Sequence, residues 1–226
     1  NTFLFGGYQE YLLFFCFYCF SNFFLKINNL NNYYKKNIIP ELIILLILNI
    51  FIWVKQEGLF YFFILNFIFI LHAKRSIKNR FIFCILSLFL FLFYWLIKNY
   101  YFDTIEFNDS IINSETFKNL NISYLFSKIL IITKYFVISF VKYPIWLVIF
   151  LSIFILKFTT NYFEKNKFIY TYLVLTFSFV YAIFLNTPDN LTWLLPITLN
   201  RLVFTLSGFL IFLIPVTLNN IKIKSL

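Results

Sequence analysis

Apolar residues run along this chain in long blocks, with short polar stretches between them. The blocks cover about Tyr8–Leu25, Ile38–Val54, Leu59–Leu71, Phe81–Ile97, Pro144–Phe158, Phe168–Leu185 and Leu202–Leu218. Buried strands are usually about 4–8 residues, so runs of this length predict helices, near the length of about 20 residues that crosses a bilayer. An eighth stretch, Ile122–Val141, is apolar but carries Lys128 and Lys134. Each lysine would cost about 2.5–3.5 kcal/mol at the bilayer centre, so an interfacial helix with snorkelling lysines is expected there. The pattern predicts an all-α polytopic transmembrane helix bundle, one unit over residues 1–226. It has about seven spans and one interfacial helix on the outer side.

Composition sharpens this. Hydrophobic residues make up 62% of the 226-residue chain and charged residues 12%, with 36 Phe and 16 Tyr. A soluble domain carries about 25% charged residues, and this chain has too few polar side chains to make a water-facing surface. Abundant Phe, Ile, Asn, Lys and Tyr fit an AT-rich coding sequence. The chain begins at Asn1 and contains no Met. We therefore expect it to be the C-terminal part of a longer chain whose N-terminal spans and first outer loop are missing. No basic segment precedes the block at Tyr8, which reads as a span and not a signal peptide.

The net charge is +10. If the seven blocks alternate across a membrane, charge sorts by side. One side collects 12 of the 19 basic residues with only Glu41 and Glu164. The other has 7 basic residues against 7 acids, among them Glu10, Glu57 and Asp189. Lys and Arg accumulate on the cytoplasmic side, so the amino end is expected outside and the carboxyl end in the cytoplasm. The same rule accounts for the positive charge without nucleic acid, for which no basic groove with stacking aromatics is present. Cys16 and Cys19 form C-x-x-C with no second pair and no nearby His, and Cys84 stands alone. No metal site is expected from them.

Two segments hold candidate chemistry. Ile38–Leu71 is 34 residues, or about 51 Å of helix for two crossings of about 30 Å. The hairpin is short, and its tip Lys55-Gln56-Glu57-Gly58 is drawn toward the membrane, where polar residues are functional candidates. The second is Asn186–Arg201, expected as an irregular outer loop because Pro188 and Pro196 oppose a continuous helix. Asp189 and Arg201 are its charges, and Arg201 has the fork geometry for a phosphate. Trp193 reads as an interface anchor, and the acids of the Lys98–Asn121 loop as a solvated surface. No nucleophile–base pair, Walker loop or haem ligand pair is evident.

The motifs are G-Y-Q-E opening the first block, W-V-K-Q-E-G-L at the hairpin tip, and D-N-L-T-W-L-L-P-I-T-L-N-R-L-V-F before the last. In this order they resemble the downstream part of bacterial membrane glycosyltransferases of the GT-C superfamily, the branch related to protein mannosyltransferases. The resemblance covers Gly7–Gly58 and Asp189–Phe204. It departs at Leu194, where those relatives carry His, and at Gln9-Glu10, where they carry Ala-Asp. It implies an enzyme of the bacterial inner membrane with no cofactor beyond its co-substrate. A sugar would pass from a polyprenyl-phosphate donor to an acceptor hydroxyl on the outer leaflet. The catalytic carboxylate would lie upstream of Asn1. Lys55 and Arg201 would bind the donor phosphate, with Glu57, Gly58 and Asp189 in support. Two other readings stay open: a structural membrane subunit of an organellar respiratory complex, and a lipid-sugar transporter.

Overall fold

The computed structural model describes residues 3–29, 38–54, 56–102, 122–186 and 191–224. Of these, 93% are helical and none lies in a strand. The helices are α1 (Phe3–Asn29), α2 (Ile39–Val54), α3 (Gln56–His72), α4 (Ile77–Phe102) and α5 (Ile122–Lys142). After them come α6 (Pro144–Thr159), α7 (Tyr162–Lys165), α8 (Phe168–Asn186), α9 (Leu191–Leu210) and α10 (Leu213–Lys224). Their ends follow backbone chemistry. Pro144 opens α6, where its missing N–H costs nothing, and Pro40 sits in the first turn of α2. Glu41 lies in the first turn of α2, while Lys26, Lys142 and Lys157 lie in the last turns of α1, α5 and α6. Each charge complements the helix dipole at its end.

Six of the seven expected blocks each correspond to one helix, while Leu202–Leu218 is divided between α9 and α10; length separates the helices further. Tyr8–Asn28, Ile77–Tyr100 and Phe168–Leu185 are long and apolar enough to cross a membrane. Two further candidates are bent pairs, α5 with α6 at 92° and α9 with α10 at 41°, which makes three to five spans by this measure. At 16 and 17 residues, α2 and α3 reach only about 24–26 Å, below the hydrocarbon thickness of about 30 Å. The shortfall foreseen for the hairpin is therefore present. The rings of Phe51 and Tyr61 lie 6.1 Å apart, whereas a straight helix would separate residues ten apart by about 15 Å. The chain doubles back here, so tightly that a Cβ on Gly58 would run into the Phe51 carbonyl.

The irregular loop expected over Asn186–Arg201 is corrected: helix begins at Leu191 and runs through Pro196. A proline removes only one hydrogen bond, here the one to the Thr192 carbonyl, and the Tyr135 hydroxyl of α5 donates to that carbonyl at 3.4 Å. Pro215 acts where its ring would meet the Ile211 carbonyl, and the helix breaks at Ile211–Phe212. The loop expected over Lys98–Asn121 begins later, since α4 runs to Phe102; residues 103–121 lie outside the described residues. Helix α5 does not sit alone on a surface. Its Lys128 ammonium donates to the Leu185 carbonyl at 3.3 Å, in the last turn of α8, where carbonyls lack helical partners. Phe136 then stacks on Tyr181 and Phe140 meets Phe177, so α5 runs lengthwise along α8.

The core centres on α1, which packs on α9 and α2. Phe17 is fully buried, with ring centroids 4.8 Å from Phe51, 5.0 Å from Tyr61 and 5.9 Å from Tyr172. Tyr172 stacks on Phe209 at 3.8 Å and donates its hydroxyl to the Leu206 carbonyl at 2.8 Å. The Trp146 indole donates to the Val203 carbonyl at 2.8 Å. Near Phe14, α1 and α9 approach so closely that a Cβ on Gly208 would strike the Phe14 carbonyl. Gly208→Ala should therefore force these helices apart, at about 1–3 kcal/mol. Thermal unfolding in detergent checks this; an unchanged melting temperature would contradict the close approach.

Candidate functional site

Three helices carry the polar groups that meet at one end of the core. On α1, Glu10, Leu13 and Phe17 follow the three- and four-residue spacing of one face. On α3, Glu57 and Tyr61 are one turn apart. On α9, Thr198, Arg201 and Thr205 repeat on the face turned to α1. These faces border a small, partly open cleft of about 30 Å³, lined by Glu10, Glu57, Tyr61, Thr198, Arg201 and Thr205, with Leu13 and Leu202 as apolar walls.

The dominant contact is an ion pair between residues 191 positions apart in the chain. Arg201 Nε donates to Glu10 Oε1 at 2.7 Å, and Arg201 Nη2 meets the same oxygen. The partners are unequally covered, with 8% of the Glu10 side chain exposed against 41% of Arg201. A carboxylate removed from water needs a charged donor, and an arginine has more N–H groups than this contact uses. The cleft therefore has a guanidinium partly open to an incoming acceptor. The hydroxyls of Thr198 and Thr205 donate to their own helix, at the carbonyls of Leu194 and Arg201. The hydroxyl of Tyr61 is different: it is buried and makes no hydrogen bond in the structure.

Of the residues predicted from sequence, Glu57 and Arg201 come together in this cleft, and Gly58 makes the tight α2–α3 reversal beside it. Arg201 stands mid-helix on α9, not in a loop. Lys55 and Asp189 lie outside the described residues. Sequence reasoning did not pair Glu10 with Arg201 and passed over Tyr61. The available signals were that Glu10 is the one acid in its apolar block and that Tyr61 follows Glu57 by four residues. No group of three His, Cys, Asp or Glu side chains gathers among the described residues.

A second polar cluster occupies the opposite end. Glu41 and Arg75 form an ion pair, with 14% and 3% of their side chains exposed. Asn28 accepts the Lys74 backbone N–H at 2.9 Å, Arg80 donates to the Ile70 carbonyl at 2.7 Å, and His72 bonds Thr171 at 2.7 Å. These contacts tie the α3–α4 turn to α1, α2 and α8.

The fold and site together define a class: an all-helical protein whose long apolar helices are consistent with an integral membrane protein. No protein-family model, curated protein or solved structure matches the chain. If the ion pair couples α1 to α9, a double-mutant cycle of Glu10→Gln and Arg201→Gln should return an interaction energy of about 0.5–3 kcal/mol. Strict additivity in unfolding measurements would mean that the two side chains act independently.

Proposed function

We propose that this chain is the downstream part of a membrane glycosyltransferase that takes a sugar from a polyprenyl-phosphate donor and passes it to an outer-leaflet acceptor. The cleft of Glu10, Glu57 and Arg201 receives the phosphate head of the donor. One observation carries this reading. The three short motifs on which the GT-C resemblance rests lie far apart in sequence, and each sends a charged side chain to the same cleft. A structural subunit has no need to collect two carboxylates and a guanidinium at an open site, and burying them is costly.

In this reading Arg201 holds the phosphate through its fork of N–H donors. Glu10 keeps the guanidinium aimed at the cleft while no donor is bound, and Glu57 orients the neighbouring charges. Lys55 precedes Glu57 by two residues in the chain. Its positive charge adds to that of Arg201 against the acids of the three motifs, which favours an anionic ligand. The polyprenyl tail lies in the surrounding lipid.

The topology that suits this function has seven crossings in a bacterial inner membrane, with the amino end outside. The short α2–α3 hairpin draws Glu57 below the outer interface, level with Glu10 and Arg201. Helix α5 starts at the outer surface, where Lys128 reaches the end of α8, and slopes along that helix before the sharp turn into α6. The ion pairs favour this arrangement. Glu10 with Arg201 joins two residues that charge sorting puts outside, and Glu41 with Arg75 joins two that it puts inside.

Arg201→Ala in the full-length protein should raise the KM for a polyprenyl-phosphate sugar at least about tenfold, or abolish turnover, in a bundle that still unfolds cooperatively, at a melting temperature lowered by the unpaired Glu10. Unchanged donor kinetics would remove Arg201 from the site. For the topology, single cysteines at Asn108 and Asn79 in a Cys-free background should label from opposite sides with an impermeant reagent. Asn108 should label from outside. Labelling of Asn108 only after lysis inverts the orientation.

A further inference from the structure

The hydroxyl of Tyr61 lacks a role in the fold. The residue is 1% exposed, yet its phenolic oxygen has no hydrogen-bond partner. Burying a hydroxyl unpaired costs about 1–3 kcal/mol, and Phe would fill the same space without that cost. The ring is fixed, with centroids 5.0 Å from Phe17, 6.1 Å from Phe51 and 6.3 Å from Phe179. The hydroxyl cannot swing away to find another acceptor. Tyr61 also lines the Glu10–Arg201 cleft, one helical turn after Glu57. A rigidly held, unsatisfied O–H at a cleft wall is preorganised for a ligand that brings its own acceptor.

We propose that Tyr61 is a ligand-contacting residue, whose hydroxyl donates a hydrogen bond to a phosphate oxygen of the lipid-linked donor. This rests on the reading that the cleft receives that phosphate. Arg201 supplies charge from α9, and Tyr61 supplies a neutral donor from α3, so the head is gripped from two helices. A neutral donor holds the phosphate between the two glutamates without adding an ionic side chain that must itself be desolvated.

The test uses the full chain in nanodiscs, titrated with a polyprenyl monophosphate as probe. Tyr61→Phe should leave the melting temperature of the ligand-free protein unchanged or higher, and raise the probe Kd about three- to tenfold. An unchanged Kd overturns the proposal, whether or not the melting temperature falls; a fall would mean that the hydroxyl serves the fold through bound water. Arg201→Ala is run beside it. If that variant also leaves the Kd unchanged, the phosphate reading itself fails; if it weakens binding and Tyr61→Phe does not, only the role of Tyr61 fails. Should Tyr61→Phe not fold, 3-fluorotyrosine at position 61 keeps the ring and strengthens the O–H donor. It should then tighten the probe, and no tightening counts against the proposal.

Discussion

The close approach of α1 and α9 is the constraint on which the rest of the structure depends. Between helices surrounded by lipid there is little hydrophobic drive to associate, because lipid tails are as apolar as Leu or Phe. Contact area and hydrogen bonds must supply the stability. Gly208 lets the two backbones meet at Phe14, and this proximity brings Phe17 and Phe209 within reach of Tyr172. The same alignment sets Glu10 opposite Arg201, a turn or two along each helix. Close packing at one level and an ion pair at the next are two results of a single interhelical register.

The two polar ends of the bundle solve the same electrostatic problem in different ways. At one end, the Glu41 and Arg75 side chains pair while nearly covered, with the Asn28–Lys74 and Arg80–Ile70 contacts in the same turn region, which suits a bolt between helices. At the other, Arg201 remains 41% exposed beside a cleft. A well-paired buried ion pair resists change, whereas a half-open guanidinium can exchange one acceptor for another at modest cost. The second end is therefore the one whose guanidinium is open to a change of partner.

Helix α9 shows how local rules yield to tertiary context. Pro196 by itself argues for an interruption, and a water-exposed segment would have no reason to resist. Packed on α5, the freed Thr192 carbonyl finds the Tyr135 hydroxyl, and the Asn200 carboxamide accepts from Ser139. The helix continues because a neighbour replaces what the proline took away. Lys128 follows the same logic, since the end of α8 offers the carbonyl that a lysine in an apolar helix requires.

The sequence by itself determined that the protein is helical and where α2, α5, α6 and α8 begin and end. Hydrophobic run length and proline or charge at the termini are local properties that each segment carries alone. It also singled out Glu57, Gly58 and Arg201, because polar residues beside long apolar runs stand out. Only the tertiary structure decided that Arg201 pairs with Glu10, that Tyr61 shares their cleft, and that Gly208 is a contact point. Those facts depend on the rotation and register of α1, α3 and α9 about their axes, which side chains far apart in sequence settle together. A helix with apolar residues on nearly every face has no periodicity from which that rotation could be read.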